Sequence, residues 1–278
     1  MSKVGFLDKR IGKLFLQMTS VISGAVSLTV IFFDIPPTYK PWAALTLLGV
    51  LAFCYIGIWV WSNRLNSISI NVEGSDVLVT VGDIFQQEGL KVIAFNEYFD
   101  TRVDNKIISD RSINGIFITK HLDVPVEDLD KHIDSYGFNV DEPIEENLSR
   151  QQGKKKKYRL GTICVYKDFL LTAFSKFDDQ NRAFLTMPEY LEFMINFWDR
   201  VNSVYALKSV STAVFGSGIT RIKGHRNISD EDLLKIMLWT FRISEMRFKH
   251  PAKLTIVIHK DKIDQINLLD IKAVKNGV

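Results

Sequence analysis

Three short segments of this chain place nucleotide-binding residue types just past apolar, β-branched runs. The run Val77-Leu78-Val79-Thr80-Val81 ends in Gly82-Asp83-Ile84. Open α/β sheets bind ligands at the carboxyl ends of their strands, so Asp83 stands where it can accept from a ligand amine such as adenine N6, or cap the next turn. The run Val92-Ile93-Ala94-Phe95 leads into Asn96, whose amide can bond a ribose or start a turn. The third segment, Val214-Phe215, opens into Gly216-Ser217-Gly218-Ile219-Thr220-Arg221. Backbone N–H groups of such a loop can converge on phosphate oxygens, and Arg221 adds a fixed positive charge. A single Gly-x-Gly is most often only a turn. The three strand ends together specify an adenine-ribose-phosphate site.

Other chemistry finds no support. The five histidines, His121, His132, His225, His250 and His259, are scattered, and the two cysteines, Cys54 and Cys164, lack metal-ligand or disulfide-framework spacing. No cofactor, metal or nucleophilic triad is expected, and a reducing compartment is.

Gly82-Asp83-Ile84, the Ala94-Phe95-Asn96 strand end and Gly216 to Thr220 have the order and spacing of the macro domain, which this sequence resembles. Two longer stretches are more specific: Val92 to Asp100 (VIAFNEYFD) and Leu238 to Met246 (LWTFRISEM). They resemble the membrane-anchored macro-domain effectors of type II Thoeris anti-phage defence, in which two N-terminal spans precede the macro domain. The resemblance implies a three-layer α/β/α domain that binds a signal made from NAD by a TIR-domain partner, a histidine-linked conjugate of ADP-ribose, and a membrane part that then compromises the cell envelope. It also implies that Asp83 and Ile84 hold adenine, that Asn96 lies near the distal ribose, and that Gly216, Ser217, Gly218, Ile219 and Thr220 wrap the diphosphate. Arg221 is added on charge alone.

One departure bears on activity. Many ADP-ribose-hydrolysing macro domains carry a glycine triplet soon after the strand-end Asn, whereas here the chain reads Glu97-Tyr98-Phe99-Asp100-Thr101-Arg102. That favours a sensor with a reshaped distal pocket, which Phe99, Asp100 or Arg102 would line or else serve as lid or packing, over a membrane-tethered hydrolase using Asp100 or Glu97. A passive anchored reader of ADP-ribosylated proteins is the weakest alternative.

Elements that would position these residues are legible in the hydrophobic pattern. From about Asn66 short β-branched runs alternate with amphipathic segments, the pattern of an α/β fold. Strands are expected at Ser67 to Val72, Val77 to Val81, Leu90 to Phe95, Gly115 to Thr119, Leu160 to Phe174, Ser209 to Val214 and Lys253 to Ile258. Helices are expected at Met187 to Leu207, capped by Thr186, and at Ser229 to Phe248, capped by Ser229 and ended by Pro251. Lys154-Lys155-Lys156-Lys157 reads as a solvated hairpin tip rather than a lipid contact.

Ahead of this domain lie two charge-free runs of 20 residues, 14–33 and 42–61, joined by the proline-rich segment 34–41. About 20 helical residues span a bilayer core, so residues 1–64 read as a two-helix transmembrane hairpin and 65–278 as the macro-like domain. The chain's net charge of +3 arises in the hairpin: residues 1–64 hold six basic and two acidic side chains, leaving 29 basic against 30 acidic, a net of −1, for the rest. A basic nucleic-acid-binding domain is therefore excluded. Lys3, Lys9, Arg10 and Lys13 before the first span and Arg64 after the second place both termini in the cytoplasm of a bacterial inner membrane by the positive-inside rule. Small residues at Ser20/Gly24, Thr19/Ser23 and Ser23/Ser27 fit close helix packing, either within the hairpin or in a homo-oligomer.

Overall fold

In the computed structural model, which describes residues 3–33, 35–225 and 227–273, the chain forms two compact units. One holds the residues up to Ile68 together with those from Asp264 on, and the other is Ser69–Ile263. Asp34 of the expected connection and residues 274–278 of the expected second domain lie outside the described residues.

The first unit is built on helices α1 (Lys9–Phe32) and α2 (Lys40–Arg64), each long and apolar enough to cross a membrane. They mark the chain as membrane-associated. Asp8 caps α1 by accepting from the Arg10 N–H at 2.8 Å. Below the apolar stretch, Val4 and Ile11 are buried with Leu269 and flanked by Tyr55, Ile58 and Trp59. Leu269 belongs to the short helix Leu268–Ala273, whose Asp270 pairs with Arg10. Chain end and chain start thus close one small core.

The second unit is a mixed sheet between helical layers. Its elements are β1 (Ser67–Val72), which crosses the unit boundary, β2 (Ser75–Val81), β3 (Leu90–Asn96), α3 (Ile113–Ile116), α4 (Val126–Ser135), β4 (Pro143–Glu146) and β5 (Lys156–Tyr158). They continue with β6 (Ile163–Tyr166), β7 (Phe169–Phe177), β8 (Ala183–Thr186), α5 (Met187–Val204), β9 (Val210–Ala213), β10 (Arg221–Lys223), α6 (Asp230–Ile243) and β11 (Leu254–Ile258). The strand order is β1-β2-β11-β9-β3-β7-β8-β10, with β6 pairing β7. Strands β2, β11, β9, β3 and β7 run parallel, and β6 and β8 are antiparallel to β7. Side chains alternate between the faces as the pleat requires. Ile93, Phe95, Leu171 and Ala173 pack with Phe117, Leu129 and Ile133 on one face. Phe174 meets Phe193 at 4.7 Å on the other, where Trp198 Nε1 of α5 donates to Thr240 Oγ1 of α6 at 3.1 Å.

Both long helices start where their caps predict, because Thr186 and Ser229 each close a capping box, with Glu189 and Asp232 respectively. Their ends fall short of the expectation, α5 at Val204 and α6 at Ile243 rather than Phe248. Past α6 the Arg247 guanidinium donates to the carbonyls of Arg242, Ser244 and Met246, satisfying orphan acceptors that a further turn would have used. The strand expected at Gly115 to Thr119 is helical: Ser112 caps α3 through the Gly115 N–H, and Phe117–His121 continues as a wider π turn. A short apolar run does not reveal its period. The long strand expected at Leu160 to Phe174 is a hairpin, β6 and β7, turning at Lys167-Asp168, with Lys167 at φ 52°. Lys154 and Lys157 are not a free hairpin tip either. Lys154 Nζ pairs with Asp130 at 2.6 Å, and Lys157 Nζ lies 3.6 Å from Glu97.

Candidate functional site

Strands β3 and β9 pair only at Leu90↔Val210 and Lys91↔Ser211. Beyond that register they part, and a cleft with about 890 Å³ of empty space, counting its open mouth, lies along their carboxyl halves. Val92, Ala94, Thr212 and Ala213 of the two strands line it, with Asn96, Val214 to Thr220, Ile107 to Ser109 and Arg111 to Asn114.

The glycine loop is set on a rigid base. Tyr190 Oη donates to the Phe215 carbonyl at 3.0 Å, and the Phe215 N–H points to Met237 Sδ at 3.4 Å. Gly216 has φ 84°, a left-handed conformation that disfavours any side chain, and a Cβ there would lie 3.3 Å from Leu233 Cδ1. Ser217 folds back on the Val214 carbonyl through both N–H and Oγ. Among the described residues the N–H groups of Gly216, Gly218, Ile219 and Thr220 have no protein acceptor. They form a row of donors at the cleft end, the arrangement that cradles anions.

Asn96 is 2% exposed and fixed at the end of β3. Its Oδ1 accepts from the N–H groups of Tyr98 and Asp100, and its Nδ2 donates to Asp100 Oδ2 at 2.8 Å. Asp100 is itself locked: Arg150 Nη2 donates to the same oxygen at 2.7 Å and the Lys154 N–H to Oδ1 at 2.7 Å. The Arg150 guanidinium stacks 3.9 Å from the centre of the Tyr98 ring. Glu97, next in sequence, lies off the cleft lining. Burial pushes its carboxyl above the usual range, only partly opposed by the Lys157 ammonium and the Phe177 N–H.

Of the sequence-derived site residues, the structure brings Asn96, Gly216, Ser217, Gly218, Ile219 and Thr220 together on one cleft. Asp83, Ile84 and Arg221 are not on its lining. Asp83 is exposed at the end of β2, where its Oδ1 accepts from the Phe85 N–H at 2.9 Å, the capping alternative, while Ile84 is buried. Arg221 opens β10 immediately after the loop. Of the residues expected either to line a distal pocket or to serve as lid or packing, Phe99 packs, wholly buried against Tyr158 and Phe138, Asp100 is bound by Asn96, Arg150 and Lys154, and Arg102 pairs with Asp104 at 2.8 Å. Sequence reasoning passed over Arg111, Ser112 and Asn114, which do line the cleft. No motif marks them, because the segment folds onto the site only through its own turn.

A family model described as the macro domain of Thoeris protein ThsA matches residues 77–259. The chain is 37% identical over 277 residues to the Thoeris protein ThsA of Bacillus amyloliquefaciens (strain Y2), a match covering 98% of this chain and 92% of that protein. Among solved structures, the Oceanobacillus iheyensis macrodomain with ADP aligns at 14% identity and a TM-score of 0.48, covering 76% of this chain and all but a few per cent (98%) of that one. A mutant of the same macrodomain aligns at 12% identity and a TM-score of 0.48, covering 77% and 100%.

Proposed function

The chain belongs to the Thoeris ThsA macro-domain family, and on that premise we propose that it is a membrane effector of anti-phage defence whose macro domain senses an ADP-ribose-containing signal. The signal is made from NAD by a TIR-domain protein and is an ADP-ribose conjugate, a histidine-linked one on the family resemblance. Its binding drives homo-oligomerisation, membrane disruption and abortive infection. The macro domain and both termini lie in the cytoplasm, where such a signal is made.

One observation carries the reading: free backbone donors at Gly216, Gly218, Ile219 and Thr220 on a cleft along the carboxyl halves of β3 and β9, in a chain that also has two membrane-length helices. A diphosphate supplies the acceptors those N–H groups lack. Adenine would extend toward Asp83 and Ile84, and the distal ribose toward Asn96, whose second amide hydrogen has no protein acceptor. Gating requires the ligand to prefer one state. Moving a population from about 1:99 to 99:1 takes roughly 5.5 kcal/mol of differential affinity, which a diphosphate held by several N–H groups can provide.

The alternative, a hydrolase, gains nothing from Asp100, whose two oxygens are taken by Asn96, Arg150 and Lys154. The test uses the full chain in dye-loaded liposomes of bacterial lipid. Leakage should rise with ADP-ribose conjugates and not with adenosine. Leakage that saturating conjugate leaves unchanged, with binding demonstrated by calorimetry, refutes the effector reading.

A further inference from the structure

Arg111 is the sole charged side chain on the cleft lining among the described residues. It lines the same cleft as the glycine loop and is exposed, and among the described residues its guanidinium has no acid or carbonyl partner. Most arginines of this unit are engaged: Arg102 with Asp104, Arg150 with Asp100, Arg159 with Asp141, Arg182 with Asp178 and Arg200 with Glu142. The neighbouring acids Asp104 and Asp110 are not on the lining. An unpaired guanidinium on a cleft that also carries free backbone N–H donors makes the lining attractive to anions, and the lining offers no anion of its own.

The backbone that carries Arg111 is held in place. Asn105 Oδ1 accepts from the Asp110 N–H at 2.9 Å, Ser109 Oγ from the Arg111 N–H at 3.3 Å, and the Ser109 carbonyl from the Ser112 N–H at 3.1 Å. Gly115 closes the turn so tightly that a Cβ there would sit 2.1 Å from the Ser109 carbonyl oxygen. Only a residue without Cβ fits, and the turn therefore presents Arg111 from a fixed point. A guanidinium on such a support loses less freedom on binding than one on a loose loop, and its planar fork matches phosphate or carboxylate oxygens bidentately.

We propose that Arg111 is an anion-binding residue of this cleft, gripping a phosphate or carboxylate of the ligand on the same lining as the glycine loop. The proposal rests on the ADP-ribose reading of the site and adds to it a residue that sets specificity. If the acid is the diphosphate, Arg111 and the loop hold it together. If it is a carboxylate on the distal substituent, Arg111 selects conjugates bearing one.

Calorimetry on the full chain in detergent distinguishes these sources. The probes are adenosine, ADP-ribose and an amino-acid conjugate of ADP-ribose, and the proteins are wild type, Arg111→Ala, Arg111→Gln and Arg111→Lys. A charge-assisted contact is worth enough that Arg111→Ala and Arg111→Gln should bind roughly 10- to 100-fold more weakly, with Arg111→Lys in between. Equal loss for both ADP-ribose probes identifies the diphosphate, and loss for the conjugate alone identifies the carboxylate. Adenosine binding should not change, and unshifted thermal unfolding confirms that the exposed substitution leaves the fold intact. Wild-type affinity in both Arg111→Ala and Arg111→Gln for every acidic probe overturns the proposal alone. Failure of the wild type to bind any nucleotide overturns the ADP-ribose reading and the proposal with it.

Discussion

Replacing Arg150 by Met should cost more stability than any exposed charge substitution in this chain, because Arg150 is the partner of a buried carboxylate. The side chains of Arg150 and Asp100 are 8% and 1% exposed, against 72% for Arg182 in its pair with Asp178. Met keeps an apolar stem but removes the guanidinium's contact with the Tyr98 ring, its bonds to Asp100 and Asn181, and one to the Lys154 carbonyl. Asp100 would keep only the Asn96 amide and the Lys154 N–H. Breaking a buried pair in this way costs about 3–5 kcal/mol, whereas an exposed pair is worth about 0–1 kcal/mol. At about 2–4 °C per kcal/mol for a domain of this size, Arg150→Met should lower the melting point by about 6–20 °C and Arg182→Met by at most about 4 °C. The assay is thermal unfolding of the full chain in detergent, with hydrogen exchange of the β3 and β7 amides assigning the loss to the sheet. Adding Asp100→Asn to Arg150→Met should restore part of the loss by removing the stranded charge. Equal shifts for Arg150→Met and Arg182→Met would refute the argument, since burial would then make no difference.

Three further outcomes follow from single sites. Burial opposes ionisation of Glu189, yet the Lys176 ammonium at 2.6 Å and the Thr186 capping donors outweigh it and hold the carboxyl down to about 2. That stability is present above the ordinary glutamate range and lost as pH falls through about 2, so Glu189→Gln should cost at most roughly 3 kcal/mol at neutral pH. Urea unfolding at several pH values should show this cost shrinking toward pH 2. Glu97 has the opposite sign: burial raises its pKa, so its contribution is full below the ordinary value and fades as pH rises through the raised one. Glu97→Gln should therefore flatten the pH–stability curve above about pH 4.5, a reference value for glutamate. Gly216→Ala forces a left-handed backbone on a side chain 3.3 Å from Leu233, and should cost about 1–2 kcal/mol in unfolding while displacing the donor row and weakening ADP-ribose in calorimetry by more than tenfold.

How much of this site the sequence discloses depends on whether a residue's partners are local. The Thr186 and Ser229 caps are legible because capping boxes lie within three residues, and Gly216 to Thr220 because a glycine loop after an apolar strand has few other uses. The π turn at Phe117–His121 is not, since Ile116-Phe117-Ile118-Thr119 is β-branched and apolar enough to pass for a strand. The burial of Asp100 is hidden for a different reason. Its partner Arg150 is 50 residues away in a polar stretch that reads as a loop, and only the fold carries it across. Lys154 and Lys157 are misread on the same ground: four consecutive lysines look solvated until Asp130 and Glu97 are brought beneath two of them.

That rearrangement of charge decides what the cleft can offer a ligand. The acids adjacent to the strand-end Asn are turned away and neutralised, Asp100 by Arg150 and Glu97 in part by Lys157. The lining keeps several donors, the Arg111 guanidinium and the N–H groups of Gly216, Gly218, Ile219 and Thr220, beside the hydroxyls and amides of its serines, threonines and asparagines. Among the described lining residues there is no carboxylate. Donors recognise oxygen-rich anions and stabilise them as they are. The segment Glu97 to Arg102, which carries no glycine, takes part in this arrangement through one residue. Asp100, held by the Arg150 guanidinium and the Lys154 N–H, in turn accepts from the Asn96 amide and so fixes Asn96 at the end of β3.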